Sequence, residues 1–220
     1  MTYCSVPSFR ETSKLWQTYR LHMLSSVSPT DPRHHLASEV SKLINQLDIC
    51  LELVISTQAT IAPDPVVLKK QFAYMNQYGS IESDEEYFAN MPKSEQAPWS
   101  MIKALSRIRL FTETFYFVAW RLRQIINAKA PHDLPKIGRL KAPSILNVRN
   151  HLIEHPEKGA VANFAQNMVI TDDGPVLKSA KAQFGGGKSS AASDSLDKGL
   201  FLNATEFEQE FRLRISESLS

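Results

Sequence analysis

The clearest sign of the architecture is the stretch 98–127, PWSMIKALSRIRLFTETFYFVAWRLRQIIN. Its apolar side chains recur at steps of three and four residues, which is the spacing of one face of an α-helix. That stripe comprises Met101, Leu105, Ile108, Thr112, Phe115, Ala119, Leu122 and Ile126. Tyr116, Phe117 and Trp120 lie on other sides, so the helix is apolar around much of its circumference. Such a helix is central to a bundle or contributes to a subunit interface, and Pro98 suits its first turn.

Two helices are predicted before this stretch. Residues 8–24 show loose helical spacing, and the sequence SPTDP at 28–32 ends that pattern. Residues 33–60 carry one continuous apolar stripe, and the prolines Pro63 and Pro65 follow it. Residues 66–78 indicate a shorter helix, and the acidic run at 82–86 is typical of a solvated loop or a helix start.

The pattern changes towards the carboxyl end. Residues 168–171 and 176–178 are typical of two strands joined by a turn at Asp172-Asp173-Gly174-Pro175. The Gly- and Ser-rich segment 184–199 is typical of a flexible loop. A last helix is predicted to begin near Asn203 or Thr205, since each has a Glu three positions later in a capping-box arrangement. The apolar side chains that should pack it against the bundle are Phe207, Phe211, Ile215 and Leu219.

These elements predict a mainly α protein, an up-and-down helical bundle with a small β-hairpin appendage near the C-terminus. We divide the chain into a helical bundle at 1–158, a β-hairpin with a flexible loop at 159–202, and a docking helix at 203–220.

Bulk properties exclude some classes of function. The formal charge of +2 over 220 residues is too small for nucleic-acid binding by overall electrostatics, so any anion site must be local. Cys4 and Cys50 match no metal spacing and indicate reduced thiols in a cytoplasmic protein. The longest apolar run, 115–120, is far shorter than the ~20 residues that span a bilayer, so we expect no membrane association.

Candidate chemistry is concentrated in the segment 149–156, RNHLIEHP. It places Arg149, Asn150, His151, Glu154 and His155 on a short predicted helix, 144–155, that stops before a proline. These side chains can bind a phosphate, move a proton or hold a metal ion.

Two segments match known motifs only in part, one a zinc-protease motif and the other a phosphate-binding loop. The segment 151–155 spells H-x-x-E-H, an inverted zinc-protease motif, but the proline after His155 disfavours helical geometry there. A third ligand must also come from the 65 residues that follow, whose last acidic residues lie on the predicted docking helix. The sequence GGGKS at 185–189 resembles the end of a phosphate-binding loop, but Ala182 stands where the first glycine is needed. We therefore expect no cofactor and no metal site.

The orientation of Arg149 separates two interpretations. On the predicted helix it falls among Ile145, Val148 and Ile153, and an unpaired buried guanidinium costs several kcal/mol. Either a carboxylate on a facing helix pairs with it, with Asp48 the first choice, or this face lines a cleft in which Arg149 meets solvent and anions.

Arg149 and Asn150 followed by His155 resemble the R-x(4–6)-H motif of the HEPN superfamily. That resemblance implies a helical bundle that dimerises, so that two motifs meet in a cleft and cut RNA without a metal. It implies that Arg149 binds phosphate, that His155 is the acid and base, and that Asn150 orients one of them. Apart from the resemblance, we name His151, Glu154 and Asp48 as supporting residues of the predicted site.

We therefore carry two hypotheses. The first is a non-catalytic or regulatory HEPN-like bundle that acts through protein or RNA interaction. The alternative is a metal-independent endoribonuclease of toxin or defence type with Arg149 and His155 at a homodimer cleft.

Overall fold

A computed structural model describes residues 7–60, 93–128, 134, 137–150, 168–171, 174–177 and 199–220. This part of the chain is mainly helical, as the sequence predicts. Its helices are α1 (Arg10–Leu24), α2 (Pro32–Gln58), α3 (Lys93–Asn127), α4 (Pro143–Arg149) and α5 (Leu200–Leu219). The most extensive packing is between α2 and α3, and α1 packs against both α2 and α5.

The sequence between α1 and α2 explains why the first helix ends and why the second begins at Pro32. The Asp31 side chain caps α2, because it accepts a hydrogen bond of 2.9 Å from the Arg33 backbone amide, and Pro32 occupies the first turn. The Arg33 guanidinium also donates to both carboxylate oxygens of Asp31. Across the turn, the Trp16 indole donates to the Ala37 carbonyl oxygen at 3.1 Å and fixes α1 against α2.

Aromatic side chains join three helices in the core. Phe9, which directly precedes α1, is fully buried with its ring centroid 6.2 Å from those of Phe115 on α3 and Phe207 on α5. Burial of side chains of this size contributes roughly 1.5–3 kcal/mol each. The α3 residues of the predicted stripe whose side chains are described are all buried, which confirms it: Leu105, Ile108, Thr112, Phe115, Ala119, Leu122 and Ile126.

The start of α3 differs from the prediction. The helix begins at Lys93, so that Pro98 is its sixth residue and does not lie in the first turn. A proline there removes one backbone hydrogen bond, the one its N–H would have donated to the carbonyl oxygen of Ser94. Burial of the apolar stripe along the rest of α3 offsets the free energy lost with this hydrogen bond.

The start of α5 also differs, because the capping-box prediction was wrong. The helix begins after Gly199, whose φ of 81° is a conformation that suits glycine. Asn203 is fully buried inside the helix, where its side-chain amide donates to the Tyr116 hydroxyl at 2.8 Å. The Thr205 hydroxyl donates to the Phe201 carbonyl oxygen, one turn earlier. The apolar face of α5 packs against the other helices as predicted, with Phe207, Phe211 and Ile215 buried.

Two short strands, β1 (Met168–Thr171) and β2 (Gly174–Leu177), pair antiparallel with Met168 opposite Leu177. Residues 172–173 and 178–198 lie outside the described residues, so the hairpin appendage as a unit and its flexible loop stay predictions. The predictions for 61–92, a shorter helix and an acidic loop, also fall outside the described residues, as does the domain boundary at 158.

Among the described residues, no helix combines the length and the apolar character that crossing a bilayer requires.

Candidate functional site

The candidate site is built on α4. This helix begins with Pro143 in its first turn, preceded by Ala142 in the left-handed region at φ 43° and ψ 56°. The predicted helix 144–155 is described as far as Asn150, whose backbone is still helical and whose N–H bonds back to the carbonyl oxygens of Leu146 and Asn147. Ile145 and Val148 are buried, so α4 presents its apolar side to the bundle.

Polar side chains of α3 and α5 form hydrogen bonds with the backbone of residues 140–142, which precede α4. Glu210 on α5 accepts hydrogen bonds from the backbone amides of Lys141 at 2.6 Å and Ala142 at 3.0 Å. Asn127 at the end of α3 both donates to the Leu140 carbonyl oxygen, at 2.7 Å, and accepts from the Leu140 amide, at 2.8 Å. Backbone groups that no regular element satisfies are thereby paired, which such a half-buried connection requires.

Two further contacts complete this attachment. The Ser144 hydroxyl, which is buried, donates to the Glu206 carboxylate of α5 at 2.9 Å. The Arg123 guanidinium of α3 donates to the Lys141 carbonyl oxygen at 3.0 Å. The position of α4, and hence of Arg149 at its end, therefore depends on side chains from both α3 and α5.

Arg149 lies against α3. Its guanidinium carbon is 4.0 Å from the centroid of the Trp120 ring, within the range of a cation–π interaction. The side chain is half-buried, and burial lowers the pKa of its guanidinium from the ordinary value. The group remains charged near neutral pH because arginine starts from a very high pKa.

Asn150 lies beside the same guanidinium. Its side-chain carbonyl oxygen accepts a hydrogen bond from Arg149 Nη1 at 3.5 Å, which is long for such a bond. The structure thus brings together two of the predicted site residues, Arg149 and Asn150.

The predicted pairing of Asp48 with Arg149 is corrected by the structure. The Asp48 carboxylate accepts a hydrogen bond of 2.9 Å from the Phe9 backbone amide and one of 3.2 Å from the Ser8 hydroxyl. The Arg10 guanidinium lies 3.8 Å away. Asp48 therefore supports the start of α1, where unpaired backbone amides favour a negative charge.

His151, Glu154 and His155 lie outside the described residues, as do the imitated metal and phosphate-loop motifs. Their predicted roles stay predictions. Within the described ranges, no group of three or more His, Cys, Asp or Glu side chains is arranged to hold a metal ion.

Sequence reasoning missed the residues that position the site. The sequence pattern places Trp120 off the buried stripe of α3, and that placement is the available signal that its ring faces another element. Glu210 and Asn127 gave no signal, because they bind backbone groups of residues 140–142 that no side-chain pattern reveals.

Comparison of the chain with models of protein families, with curated proteins and with solved structures gives no match.

Proposed function

We propose that this chain is a non-catalytic or regulatory helical-bundle protein of HEPN-like type, which acts through protein or RNA interaction. The observation that carries the proposal is the stacking of the Arg149 guanidinium on Trp120, 4.0 Å from the ring centroid. A half-buried arginine held on an aromatic ring attaches α4 to α3 and serves the fold directly.

The surroundings of α4 support this proposal. Glu210, Asn127 and Arg123 hold the chain before α4 in a fixed position. Exposed apolar side chains, Leu110 and Phe117, lie seven residues apart on one side of α3 and suit contact with a partner.

The test combines stability with activity. Arg149→Ala should lower the free energy of unfolding by about 1–2 kcal/mol, the range of a partly desolvated cation–π contact. Purified wild-type protein should leave single-stranded RNA intact in the presence of EDTA.

Arg107→Ala is the matched control, because Arg107 is an exposed arginine of α3. It should leave the unfolding free energy unchanged. Equal unfolding free energies of the Arg149→Ala variant and the wild type would contradict the proposed structural role of Arg149. Cleavage of RNA that depends on Arg149 would contradict the non-catalytic assignment.

The second candidate is a metal-independent endoribonuclease of toxin or defence type, with Arg149 and His155 at the cleft of a homodimer. The observation that favours it is the position of the Asn150 carboxamide next to the Arg149 guanidinium, 3.5 Å from Nη1. In this mechanism Arg149 binds the scissile phosphate and its developing charge, and His155 transfers the proton.

The experiment for this candidate is cleavage of RNA in EDTA by the wild type and by Arg149→Lys, Asn150→Ala and His155→Ala. The candidate requires loss of cleavage in the His155 variant with unchanged stability, and dimers in solution. Cleavage that persists in the His155 variant would point to a contaminating nuclease.

For the whole chain the proposal includes an up-and-down bundle with a β-hairpin appendage formed by β1 and β2, and a cytoplasmic location. The antiparallel pairing of Met168 with Leu177 supports the appendage.

A further inference from the structure

Exposed apolar side chains are concentrated on two neighbouring helices. Among the described residues, six large apolar side chains are exposed, and four of them lie on α2 and α3: Ile49, Leu53, Leu110 and Phe117. Leu110 is 58% exposed and Ile49 is 51% exposed. Apolar residues scattered singly are normal on a protein surface, whereas a contiguous apolar patch marks a contact site.

The helices α2 and α3 run antiparallel, which fixes the levels at which these side chains lie. At one level, the Arg121 guanidinium on α3 is 2.9 Å from the Glu39 carboxylate on α2. At a second level, the Phe9 backbone amide donates to Asp48 on α2, and the Phe9 ring packs against Phe115 on α3. Residue numbers therefore rise along α2 as they fall along α3.

Leu53 and Leu110 lie on the same side of this helix pair. Leu110 is 11 residues from Arg121, close to three full helical turns, and Leu53 is 14 residues from Glu39, close to four. Each leucine is therefore on the side where the Arg121–Glu39 ion pair joins the two helices. Leu110 lies about 16 Å and Leu53 about 21 Å along the helix axes from that ion pair, so the two leucines are at neighbouring levels.

Ile49 and Phe117 extend this surface. Ile49 lies one turn before Leu53, and Phe117 lies two turns after Leu110. Thr114, between Leu110 and Phe117, is small and exposed, and its hydroxyl donates to the Leu110 carbonyl oxygen at 2.7 Å. A partner's side chain therefore has room between the leucine and the phenyl ring. We call Ile49, Leu53, Leu110 and Phe117 the α2–α3 patch.

Cations lie at both ends of the α2–α3 patch. At one end, the Glu39 carboxylate is shared by Arg121 at 2.9 Å and Lys42 at 3.9 Å, so this group carries a net positive charge. At the other end, Lys103 and Arg107 are exposed on α3. Arg107 and Arg121 are 14 residues apart, about 21 Å along the helix. The patch is therefore an apolar strip bracketed by positive charge.

We propose that the α2–α3 patch binds an acidic amphipathic helix of a partner protein. The apolar face of the partner helix packs on the patch, and its carboxylates meet the cations at the two ends. A helix of about 14 residues covers the distance between these cations. Protein interaction is part of the proposed function, so this assignment rests on it and names the class of partner.

The experiment measures binding of a fluorescein-labelled synthetic peptide by anisotropy. The peptide has about 18 residues, so that it can form a helix, with leucines at steps of three and four residues and glutamates on the flanks of that stripe. The wild-type chain should bind it saturably at low salt. A peptide with lysine in place of each glutamate should bind about tenfold or more weakly, because its charge repels the cations.

Substitution of Leu110 tests the apolar part of the patch. Leu110→Asp should weaken binding of the acidic peptide about tenfold or more, because it places a carboxylate in the middle of the patch. Leu110→Ser removes the apolar contact without adding charge and should weaken binding about fivefold or more. Leu213→Asp is the matched control, since Leu213 is a leucine of α5 that is 52% exposed, and it should bind like the wild type.

Removal of cations tests the charged part. The double variant Lys103→Gln/Arg107→Gln should weaken binding of the acidic peptide about two- to tenfold and make it less sensitive to salt. The double variant Arg139→Gln/Lys141→Gln removes the same charge from exposed positions between α3 and α4 and should do neither. Circular dichroism and the urea midpoint verify that each variant is folded.

Other results would overturn the assignment. These are the absence of saturable binding of the acidic peptide, equally tight binding of the lysine peptide, and equal losses in Leu110→Asp and Leu213→Asp. Self-association of the wild type that Leu110→Asp abolishes would assign the patch to a second copy of the chain. Binding of phosphatidylserine vesicles in place of the peptide would assign it to a lipid surface. None of these outcomes alters the stability and cleavage tests of Arg149, so failure here is distinguishable from failure of the proposed function.

Discussion

Arg149 illustrates how a permanent charge is accommodated in a half-buried position. Burial removes water from the guanidinium, and the Trp120 ring, with its negative face, replaces part of that hydration. The planar group also keeps its edge available for hydrogen bonds, such as the one to the Asn150 side chain. A lysine cannot reproduce both properties, because its ammonium is compact and strongly hydrated.

A double-mutant cycle should isolate the Arg149–Trp120 interaction. Arg149→Met, Trp120→Leu and the combined variant should give a coupling energy of about 0.5–2 kcal/mol in urea unfolding, the range of cation–π contacts. The cycle cancels the other interactions of each side chain. A coupling energy of zero would show that the contact does not stabilise α4 on α3. The pair Arg107→Met and Trp120→Leu serves as the control and should be additive.

Cys50 should be chemically protected in the folded protein. It lies on the buried side of α2 as a free cysteine, and burial raises the pKa of its thiol to about 11. Because the thiolate is the reactive species, a thiol reagent at pH 8 should modify it slowly. In a Cys4→Ser background, modification should be complete only after denaturation in urea. Rapid stoichiometric modification of the native protein would contradict this burial.

The attachment of α4 shows how one helix depends on its neighbours. α4 has only seven residues, too few for an isolated helix to be stable in water. Its position comes from Ile145 and Val148 in the core and from the hydrogen bonds of Glu210 and Asn127 to the preceding backbone. The geometry at Arg149 is thus a property of three helices together.

Removal of the Glu210 carboxylate should release this attachment. Glu210→Ala leaves the amides of Lys141 and Ala142 without their acceptor, which should lower the unfolding free energy by about 1–3 kcal/mol. Hydrogen exchange at these two amides should accelerate. Glu210→Gln retains an acceptor and should lose less.

Glu217→Ala is the control for Glu210→Ala, because the exposed Glu217 carboxylate forms an ion pair of 2.7 Å with the half-buried Arg214 on the same helix. Such pairs contribute about 0–1 kcal/mol. Equal losses in the Glu210 and Glu217 variants would mean that the backbone contacts of Glu210 contribute nothing specific.

The whole bundle should lose stability in alkaline solution. Burial raises the pKa of Tyr116 and Tyr19 as well as that of Cys50. In the unfolded chain these groups lose their protons near their ordinary values, about 8.5 for Cys and 10 for Tyr. The unfolded state then binds fewer protons than the folded state, so the free energy of unfolding falls as pH rises through this range.

Urea unfolding at pH 8 and at pH 10.5 checks this expectation. The midpoint should fall between the two pH values, and the fall should be smaller for Tyr116→Phe, which has no ionisable hydroxyl. An identical fall in that variant would show that Tyr116 does not contribute. The Tyr3→Phe variant removes one tyrosine hydroxyl from a different position in the sequence and serves as the reference.

Much of the helical architecture could be predicted because its causes are local. Asp31-Pro32 marks the start of α2, and the three- and four-residue spacing from Leu105 to Ile126 marks the buried side of α3. The start of α5 was mispredicted because the Asn203 side chain bonds to Tyr116 on another helix. A capping residue and a buried residue of the same type look alike in a sequence, and tertiary contacts distinguish them.

The candidate site was predicted only in part, for a similar reason. Arg149 and Asn150 were identified from their residue types, and the structure places them side by side. Charge pairing predicts a carboxylate as the partner of the guanidinium, but in the structure the uncharged ring of Trp120 lies against it. Asp48 was unsuitable because it binds a backbone amide at Phe9, a group that every residue carries and no sequence pattern distinguishes.

Ala142 has a practical consequence for protein engineering. Its left-handed backbone, with φ 43°, costs an L-residue roughly 1–2 kcal/mol that glycine would not incur. The gain from Ala142→Gly is reduced by the larger freedom of glycine in the denatured chain, about 0.4–1 kcal/mol. A saturation library at this codon should therefore rank glycine at or above alanine in thermal tolerance and rank valine and isoleucine last. Position 142 is therefore the first choice for stabilisation by a single substitution to glycine.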